Sequence, residues 1–133
     1  MIVSTKGRYA LRVMIDLAEQ QTQDRVPLKE IAERQQISQK YIEAIMTILS
    51  KHGFVDAVHG KGGGYRLNKK PEDYKVGDIL RLTEGSLSPV ACLEKGAEEC
   101  PRKAECRTLP MWTKLDELVE GYLDSVTLAQ LMR

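Results

Sequence analysis

The sequence predicts a mainly α-helical protein that carries one small β-hairpin. Apolar residues recur at helical spacing over most of the 133 residues, as expected for helices that bury one face. The period changes only at residues 54–58, which are β-prone, and at 65–67, and glycines dominate the segment between them. Two short β-prone segments joined by a glycine-rich turn predict a hairpin.

Three helices are predicted before the hairpin, over residues 8–20, 28–34 and 39–52. Ser4 or Thr5 can cap the first helix, and Pro27 suits the first position of the second. A polar loop is predicted at 21–25 and a tight connection at 35–37. Ser38 can cap the third helix and Gly53 can end it. The predicted buried stripe of the third helix consists of Tyr41, Ile42, Ile45, Met46 and Leu49.

The second half of the chain predicts a fourth helix over 76–83 that ends at Gly85, after a connection at 71–74. A loop over 86–108 follows, and a loop this long in a compact chain is usually functional or disordered. Pro110 then opens a long helix, and a short terminal helix spans 126–131. The broad apolar face of the long helix consists of Met111, Trp112, Leu115, Leu118, Val119, Tyr122 and Leu123. We divide the chain into residues 1–70 and 71–133.

Three helices, the second and third joined tightly, followed by a hairpin, are the order of a winged helix-turn-helix with an added long helix. Charge agrees with a nucleic-acid partner, because residues 1–70 hold 12 Lys and Arg against 7 Asp and Glu. Such an arrangement places the start of the third helix in a DNA groove and the glycine turn near phosphates. The predicted DNA-contacting residues are Ser38, Gln39, Lys40, Tyr41, Glu43, His59, Gly60, Lys61 and Gly62. A small three-helix bundle with a hairpin remains the alternative.

The composition excludes several other classes of function. No stretch approaches the roughly 18 apolar residues of a membrane span, and residues 1–8 lack the apolar run of a signal peptide, so a cytoplasmic protein is expected. The Gly60–Gly64 turn precedes a strand and lacks the Ser or Thr of a nucleotide-binding P-loop. No set of residues suggests catalysis, so an enzyme is not expected. A module that docks a partner enzyme through its C-terminal helix stays open.

All three cysteines lie in the 86–108 loop, at Cys92, Cys100 and Cys106. Their neighbours are mostly charged, so packing does not explain them, and disulfides are rare in the cytosol. Iron–sulfur clusters are held by thiolates from loops, whereas zinc sites usually contain closely paired cysteines. The spacing therefore favours a cluster, and leaves a zinc site, redox-active thiols or no function as the alternatives.

The segments 4–11, 37–43 and 60–65, together with the three cysteines, 109–112 and 126–131, resemble the IscR-type winged-helix regulators. The resemblance covers nearly the whole chain. It implies a homodimer that crosses its long helices and binds a palindromic double-stranded operator, as repressor or activator. It also implies that Cys92, Cys100 and Cys106 hold an iron–sulfur cluster, by resemblance [2Fe–2S], with [4Fe–4S] as the other type.

The sequence departs from this family at four points. Some members supply a histidine ligand at the position of Leu109, and some nitric oxide sensors supply an aspartate at the position of Arg8. The first two cysteines are separated by seven residues instead of five, and His59 stands where arginine is common. The alternative is a winged-helix regulator of cysteine or redox metabolism whose cysteines bind zinc or sense oxidants or nitric oxide directly.

Overall fold

The computed structural model describes residues 3–22 and 24–133. Met1 and Ile2 of the N-terminal segment, and Gln23 of the predicted 21–25 loop, lie outside the described residues. The described chain is mainly helical with one antiparallel hairpin, as predicted. Its elements are α1 (Thr5–Glu19), α2 (Leu28–Gln35), α3 (Gln39–Lys51), β1 (Val55–Val58), β2 (Gly64–Leu67), α4 (Val76–Glu84), α5 (Leu109–Ser125) and α6 (Leu128–Leu131).

Helix α1 begins three residues earlier than predicted because a distant residue completes its cap. The Ser4 hydroxyl accepts a hydrogen bond from the Gly7 N–H at 3.3 Å. The Ser4 N–H and hydroxyl both donate to the Glu84 carboxylate, at 3.0 and 2.7 Å. A carboxylate beside a helix N-terminus is favoured by the helix dipole. Glu84 is the last residue of α4, so this contact also joins α1 to α4.

Most of the predicted stripe of α3 lies in the main core, with Tyr41 as the exception. Ile42, Ile45, Met46 and Leu49 are all buried. Tyr41 is 37% exposed, so its prediction as a core residue is wrong. It lies in the first turn of α3, where its ring packs edge-on against that of Tyr9, 5.5 Å between centroids.

The hairpin gains a third backbone partner just before α2. Strands β1 and β2 pair from Val55 opposite Leu67 to Val58 opposite Gly64. Val26 also exchanges two backbone hydrogen bonds with Tyr65, at 2.8 and 2.9 Å. A side chain at Gly64 would place its Cβ 2.4 Å from the Val26 carbonyl oxygen, so this close approach requires glycine. Pro27, predicted as the first helical residue, has extended backbone and caps α2 instead.

The C-terminal segment folds back onto the first helices. Val76 donates its N–H to the Val126 carbonyl at 2.9 Å, and Leu128 donates to Tyr74 at 3.1 Å. This pairing takes residues 126–127 out of the predicted terminal helix, so α6 begins at Leu128. Leu128 and Ile79 are fully buried in the same core as α1 and α3. The division of the chain at residue 70 stays a prediction.

The 86–108 loop contains two short 3-10 turns, at Ala91–Leu93 and Lys103–Glu105. Helix α5, which follows it, has no buried residue within this chain. Among the described residues, every helix is too short or too polar to cross a membrane.

Candidate DNA-binding face and cysteine cavity

The start of α3 and the hairpin flank one open groove of about 310 Å³. Gln39 and Glu43 of α3 line one side, and His59 and Tyr65 line the other. All nine residues predicted to contact DNA are exposed. The structure therefore brings the α3 residues and the hairpin residues to the same side of the molecule, which is what a reading helix and its wing require.

A buried carboxylate fixes α2 against α1 and so positions the turn that leads into α3. Asp16 of α1 is 3% exposed. Its two oxygens accept hydrogen bonds from the Arg34 guanidinium at 2.8 and 3.0 Å, and from the Gln35 amide at 2.9 Å. A two-pronged pair of this kind sets both distance and orientation. The hydrogen bond and the charge of Asp16 raise the pKa of Arg34 above its usual value.

Arg12 continues this network toward the start of α3. Its guanidinium donates to the Gln35 side chain at 3.2 Å and also to the Gln35 carbonyl. The same guanidinium lies 5.2 Å from the ring centre of Tyr9. Because Tyr9 packs on Tyr41, the network connects the buried Asp16 to the first turn of the candidate reading helix.

The exposed face of α3 continues beyond the residues predicted to contact DNA. Ala44, Thr47 and Lys51 are exposed, and Thr47 and Lys51 follow Glu43 at spacings of four and eight. This spacing was available in the sequence, because residues four apart share a helix face. The Thr47 hydroxyl donates to the Glu43 carbonyl at 2.8 Å.

The three cysteines line one cavity of about 430 Å³ at the start of α5. Cys92 and Cys100 are exposed and Cys106 is half-buried. Glu98, Glu99, Lys103, Leu109 and Thr113 also line the cavity. The loop that separates the cysteines in sequence thus brings their side chains to one space.

Cys106 lies just before the N-terminus of α5, where its surroundings lower the pKa of its thiol. The Thr108 hydroxyl, 3.6 Å from the sulfur, contributes most to lowering the pKa of the Cys106 thiol. The backbone N–H of Thr108 and then that of Leu109 act in the same direction. Thiolates, rather than thiols, ligate metals and attack oxidants, so this position suits either chemistry.

The three cysteines share a cavity without forming a closed metal-ion site. Among residues 3–22 and 24–133, no three His, Cys, Asp or Glu side chains are gathered closely enough to hold one metal ion. Thiolates are ligands that both zinc sites and iron–sulfur clusters use.

Apart from the three cysteines, no cysteine or histidine is found among the described residues that line this cavity. Leu109, at the position where a histidine ligand occurs in similar regulators, lines the cavity with an apolar side chain. The oxygen donors of the lining are Glu98, Glu99 and Thr113. His52 and His59 lie at the end of α3 and beside the hairpin turn instead.

Helix α5 presents an apolar stripe that the described residues of this chain leave largely exposed. Its members follow helical spacing and are all exposed: Met111, Leu115, Leu118 and Tyr122. Leu118 is 57% and Tyr122 68% exposed. Contiguous exposed apolar surface of this kind marks contact with another molecule.

A helix-turn-helix whose reading helix shares a groove with a hairpin wing defines a winged-helix DNA-binding protein. The family model Rrf2, iron-dependent transcriptional regulator, matches residues 3–133. The chain therefore belongs to the Rrf2 family and is a DNA-binding transcription regulator rather than an enzyme. The predicted resemblance and the winged-helix fold class are both confirmed.

Known regulators and solved structures are similar to this protein over nearly its full chain. The HTH-type transcriptional regulator IscR of Serratia proteamaculans is 38% identical over 99% of this chain and 79% of its own. The structure of CymR, the global cysteine regulator of B. subtilis, has a TM-score of 0.79 at 38% identity, covering 98% of this chain and 95% of that one. T. potens IscR has a TM-score of 0.74 at 38% identity, covering 98% and 85%. The chain is thus similar to both IscR and CymR.

Proposed function

We propose that this protein is a homodimeric, sequence-specific regulator whose binding to a palindromic operator is controlled by an iron–sulfur cluster held by Cys92, Cys100 and Cys106. The observation that carries the proposal is that three thiols line one cavity at the start of α5, the helix that carries the exposed apolar stripe. Similarity to IscR supports it. The proposal also implies action in the cytoplasm.

The DNA-contacting residues divide by chemistry. Ser38, Gln39 and Lys40 stand at the start of α3 and can donate to phosphates or base edges. The Tyr41 hydroxyl can donate to the DNA backbone. Glu43 can accept from a cytosine amino group and repels phosphate. At the wing, His59 and Lys61 flank Gly60, and with Gly62 they form a tip that can approach phosphates closely.

The dimer is supported by the exposed stripe of α5. Two copies that pack this stripe together bury Met111, Leu115, Leu118 and Tyr122 and place two winged-helix units on one DNA. Reading helices in such a dimer contact half-sites about one helical turn apart, which matches a palindromic operator.

The cysteine residues supply the control. A bound cluster would provide a centre that reacts with oxidants, nitric oxide or loss of iron; we propose the [2Fe–2S] type. The lowered pKa of Cys106 favours the thiolate that a ligand must be. Cys92 and Cys100 line the cavity from earlier positions in the same loop. Ligation of all three cysteines would therefore order the segment between α4 and α5.

A second candidate function is direct sensing by the thiols, of oxidants or nitric oxide, or with zinc bound. The lowered pKa of the Cys106 thiol favours it, because a thiolate reacts with oxidants more readily than a thiol. Similarity to CymR, a cysteine regulator, supports it as well. In this case the visible absorption of a cluster is absent.

An anaerobic absorption spectrum with iron and sulfide determination separates the two candidates. Visible absorption with stoichiometric iron and sulfide is expected for the cluster, and each of Cys92→Ala, Cys100→Ala and Cys106→Ala removes it. A colourless protein without sulfide that still responds to peroxide through Cys106 contradicts the cluster and supports direct sensing.

Lys40→Ala tests the DNA-contacting face. If Lys40 meets phosphate, the variant weakens binding to every sequence and reduces the salt dependence; if it meets a base edge, it relaxes specificity at one position. Fluorescence anisotropy on operator and random duplexes measures both. Lys95→Ala, the same charge change in the cysteine loop, is the matched control. Equal binding by Lys40→Ala and wild type on all duplexes would contradict the role of α3.

A further inference from the structure

Arg25 lies before α2 in the sequence, yet its side chain extends over the tip of the wing. Its Nε donates to the carbonyl of Gly62. A Cβ at Gly62 would lie 3.0 Å from Arg25 Nη2, and Gly62 has a positive φ of 74°. The guanidinium therefore rests directly against the backbone of the tip, and the positive φ of Gly62 favours glycine at this position.

The backbone bridge at Val26 explains how Arg25 reaches this place. Val26 pairs with Tyr65 through two backbone hydrogen bonds and buries its own side chain in the core. Successive side chains of extended backbone point to opposite sides. Arg25 is consequently directed outward, alongside the turn that joins β1 and β2.

The surroundings of Arg25 leave its charge available to an anion. Its Nη1 lies 3.3 Å from Asp24 Oδ2, but Asp24 is 74% exposed and the Arg25 side chain 37%. Exposed ion pairs are weak because water screens them. Asp24 is also shared with Arg66, at 3.5 Å. A phosphate carrying a full charge can replace this carboxylate at the guanidinium.

We infer that Arg25 is a phosphate-binding residue of the wing, which acts with Lys61 although it does not belong to the hairpin. Gly62 adjoins Gly63, which lines the groove between α3 and the wing, so the guanidinium stands at the rim of that groove. Contact with Gly62 holds the guanidinium in place before DNA arrives, and a preorganised contact loses less conformational entropy on binding. The inference rests on the proposed use of the wing in DNA binding.

The salt dependence of operator binding tests this inference. Each lost phosphate contact lowers the slope of log affinity against log salt by about 0.9. Arg25→Ala is expected to lower the slope by about that amount for each bound protomer, and Arg25→Lys, which keeps the charge, is expected to retain the wild-type slope. Lys61→Ala is the positive reference, and Lys95→Ala, which should leave the slope unchanged, is the charge-matched control.

The outcomes separate this inference from the function on which it depends. If the wild type binds no duplex, the proposed DNA-binding face fails. If Lys61→Ala lowers the slope and Arg25→Ala does not, only the role of Arg25 is overturned. If Arg25→Ala weakens binding with an unchanged slope, Arg25 merely shapes the wing, and the phosphate contact is again overturned. Retention of far-ultraviolet circular dichroism and of thermal unfolding temperature in Arg25→Lys ensures that the comparison concerns folded protein.

Discussion

Asp16 shows how a single residue sets the geometry of a DNA-binding face that it does not touch. Its carboxylate lies in the core between α1 and α2 and takes three hydrogen bonds from Arg34 and Gln35. Burying a carboxylate is costly unless it is paired and hydrogen-bonded. The benefit of this pairing is a fixed angle between α2 and α1, and therefore a fixed position for Ser38 at the start of α3.

Replacing this carboxylate should destabilise the fold. Asp16→Ala is expected to lower the free energy of unfolding by about 1.5–3 kcal/mol, the range for hydrogen bonds that involve charged groups. Urea unfolding followed by circular dichroism measures the change. Asp24→Ala, which removes an exposed carboxylate, is the control and should stay within about 0.5 kcal/mol of wild type. If the free energy of unfolding falls no more in Asp16→Ala than in the control, the hydrogen bonds from Arg34 and Gln35 to Asp16 do not stabilise the fold.

At the scale of elements, α4 is joined to α5 by an arginine in addition to apolar packing against Leu123. Arg81 of α4 donates to both oxygens of Asp124 of α5, each at 2.9 Å. Gly77 permits this close approach, because a Cβ there would lie 2.1 Å from Asp124 Oδ1. One turn farther along, the Glu84 contact to Ser4 joins α4 to α1. The C-terminal half of α4 is thus bonded both to the first helix and to the long helix.

The Arg81–Asp124 pair predicts a pH-dependent contribution to stability. The Arg81 hydrogen bonds lower the pKa of Asp124. A carboxylate with a lowered pKa stabilises the fold above its unfolded pKa of about 3.9 and loses this contribution as the pH falls through the folded value. Asp124→Asn should therefore cost about 1 kcal/mol at pH 7, and its difference from wild type should shrink below about pH 4.

Urea unfolding at pH 7, 5, 4 and 3 measures this difference. Asp73→Asn, an exposed carboxylate of the turn before α4, serves as the control and should show a small, nearly constant difference. A gap between wild type and Asp124→Asn that widens toward acid would contradict the assignment.

Local pattern predicts most of the elements, whereas contacts between distant residues decide the details. The helices and the hairpin follow from apolar period, capping residues and glycines, and the observed ends differ by a few residues. The early start of α1 depends on Glu84, and the late start of α6 depends on Val76, both far away in sequence. The hydrogen bond from Arg25 to Gly62 likewise joins residues that are far apart in sequence. Periodicity over a short window contains no information on such partners.

The candidate site is predictable to a similar degree and for the same reason. Residue types and spacing identified the start of α3, the glycine tip and the cysteines. The convergence of Cys92, Cys100 and Cys106 on one cavity depends on how the 86–108 loop folds, which spacing does not determine. Tyr41 belongs both to the predicted buried stripe and to the predicted DNA-contacting residues, because a position at the end of a helix stripe is ambiguous. Its 37% exposure contradicts the first assignment and leaves the second a prediction.

At the scale of the whole molecule, the α5 stripe predicts self-association. Leu118→Glu places a charge in the middle of the stripe and should convert a dimer to a monomer. Desolvating an unpaired carboxylate in an apolar interface is highly unfavourable. Sedimentation velocity at micromolar concentration measures the state, with Glu117→Gln on the same turn as control. A wild-type protein that sediments as a monomer would overturn the dimer.

Control of DNA binding by the cysteines requires a physical connection between their cavity and the winged-helix unit. Leu93, which follows Cys92, lines the cysteine cavity and also a neighbouring one that contains Arg81 and Glu120. We therefore expect ordering of the loop around the thiols to affect the residues that hold α4 to α5. A ligand changes affinity for DNA only if it favours the DNA-competent arrangement over the other.

We predict that Cys92→Ala, Cys100→Ala and Cys106→Ala change operator affinity in the same direction as removal of iron from the wild type. Typical couplings between two sites correspond to about 5–150-fold in affinity. Anaerobic titration of one operator with the iron-loaded protein, the iron-free protein and the three variants measures the change. Arg81→Met should bring the loaded and iron-free affinities closer together, because it releases α4 from Asp124 while leaving the cysteines in place. Lys114→Ala, which removes an exposed cation of α5 outside both cavities, should leave their ratio unchanged. Equal affinities of the loaded and iron-free wild type on every operator would instead make the cysteines structural ligands without a role in controlling DNA binding.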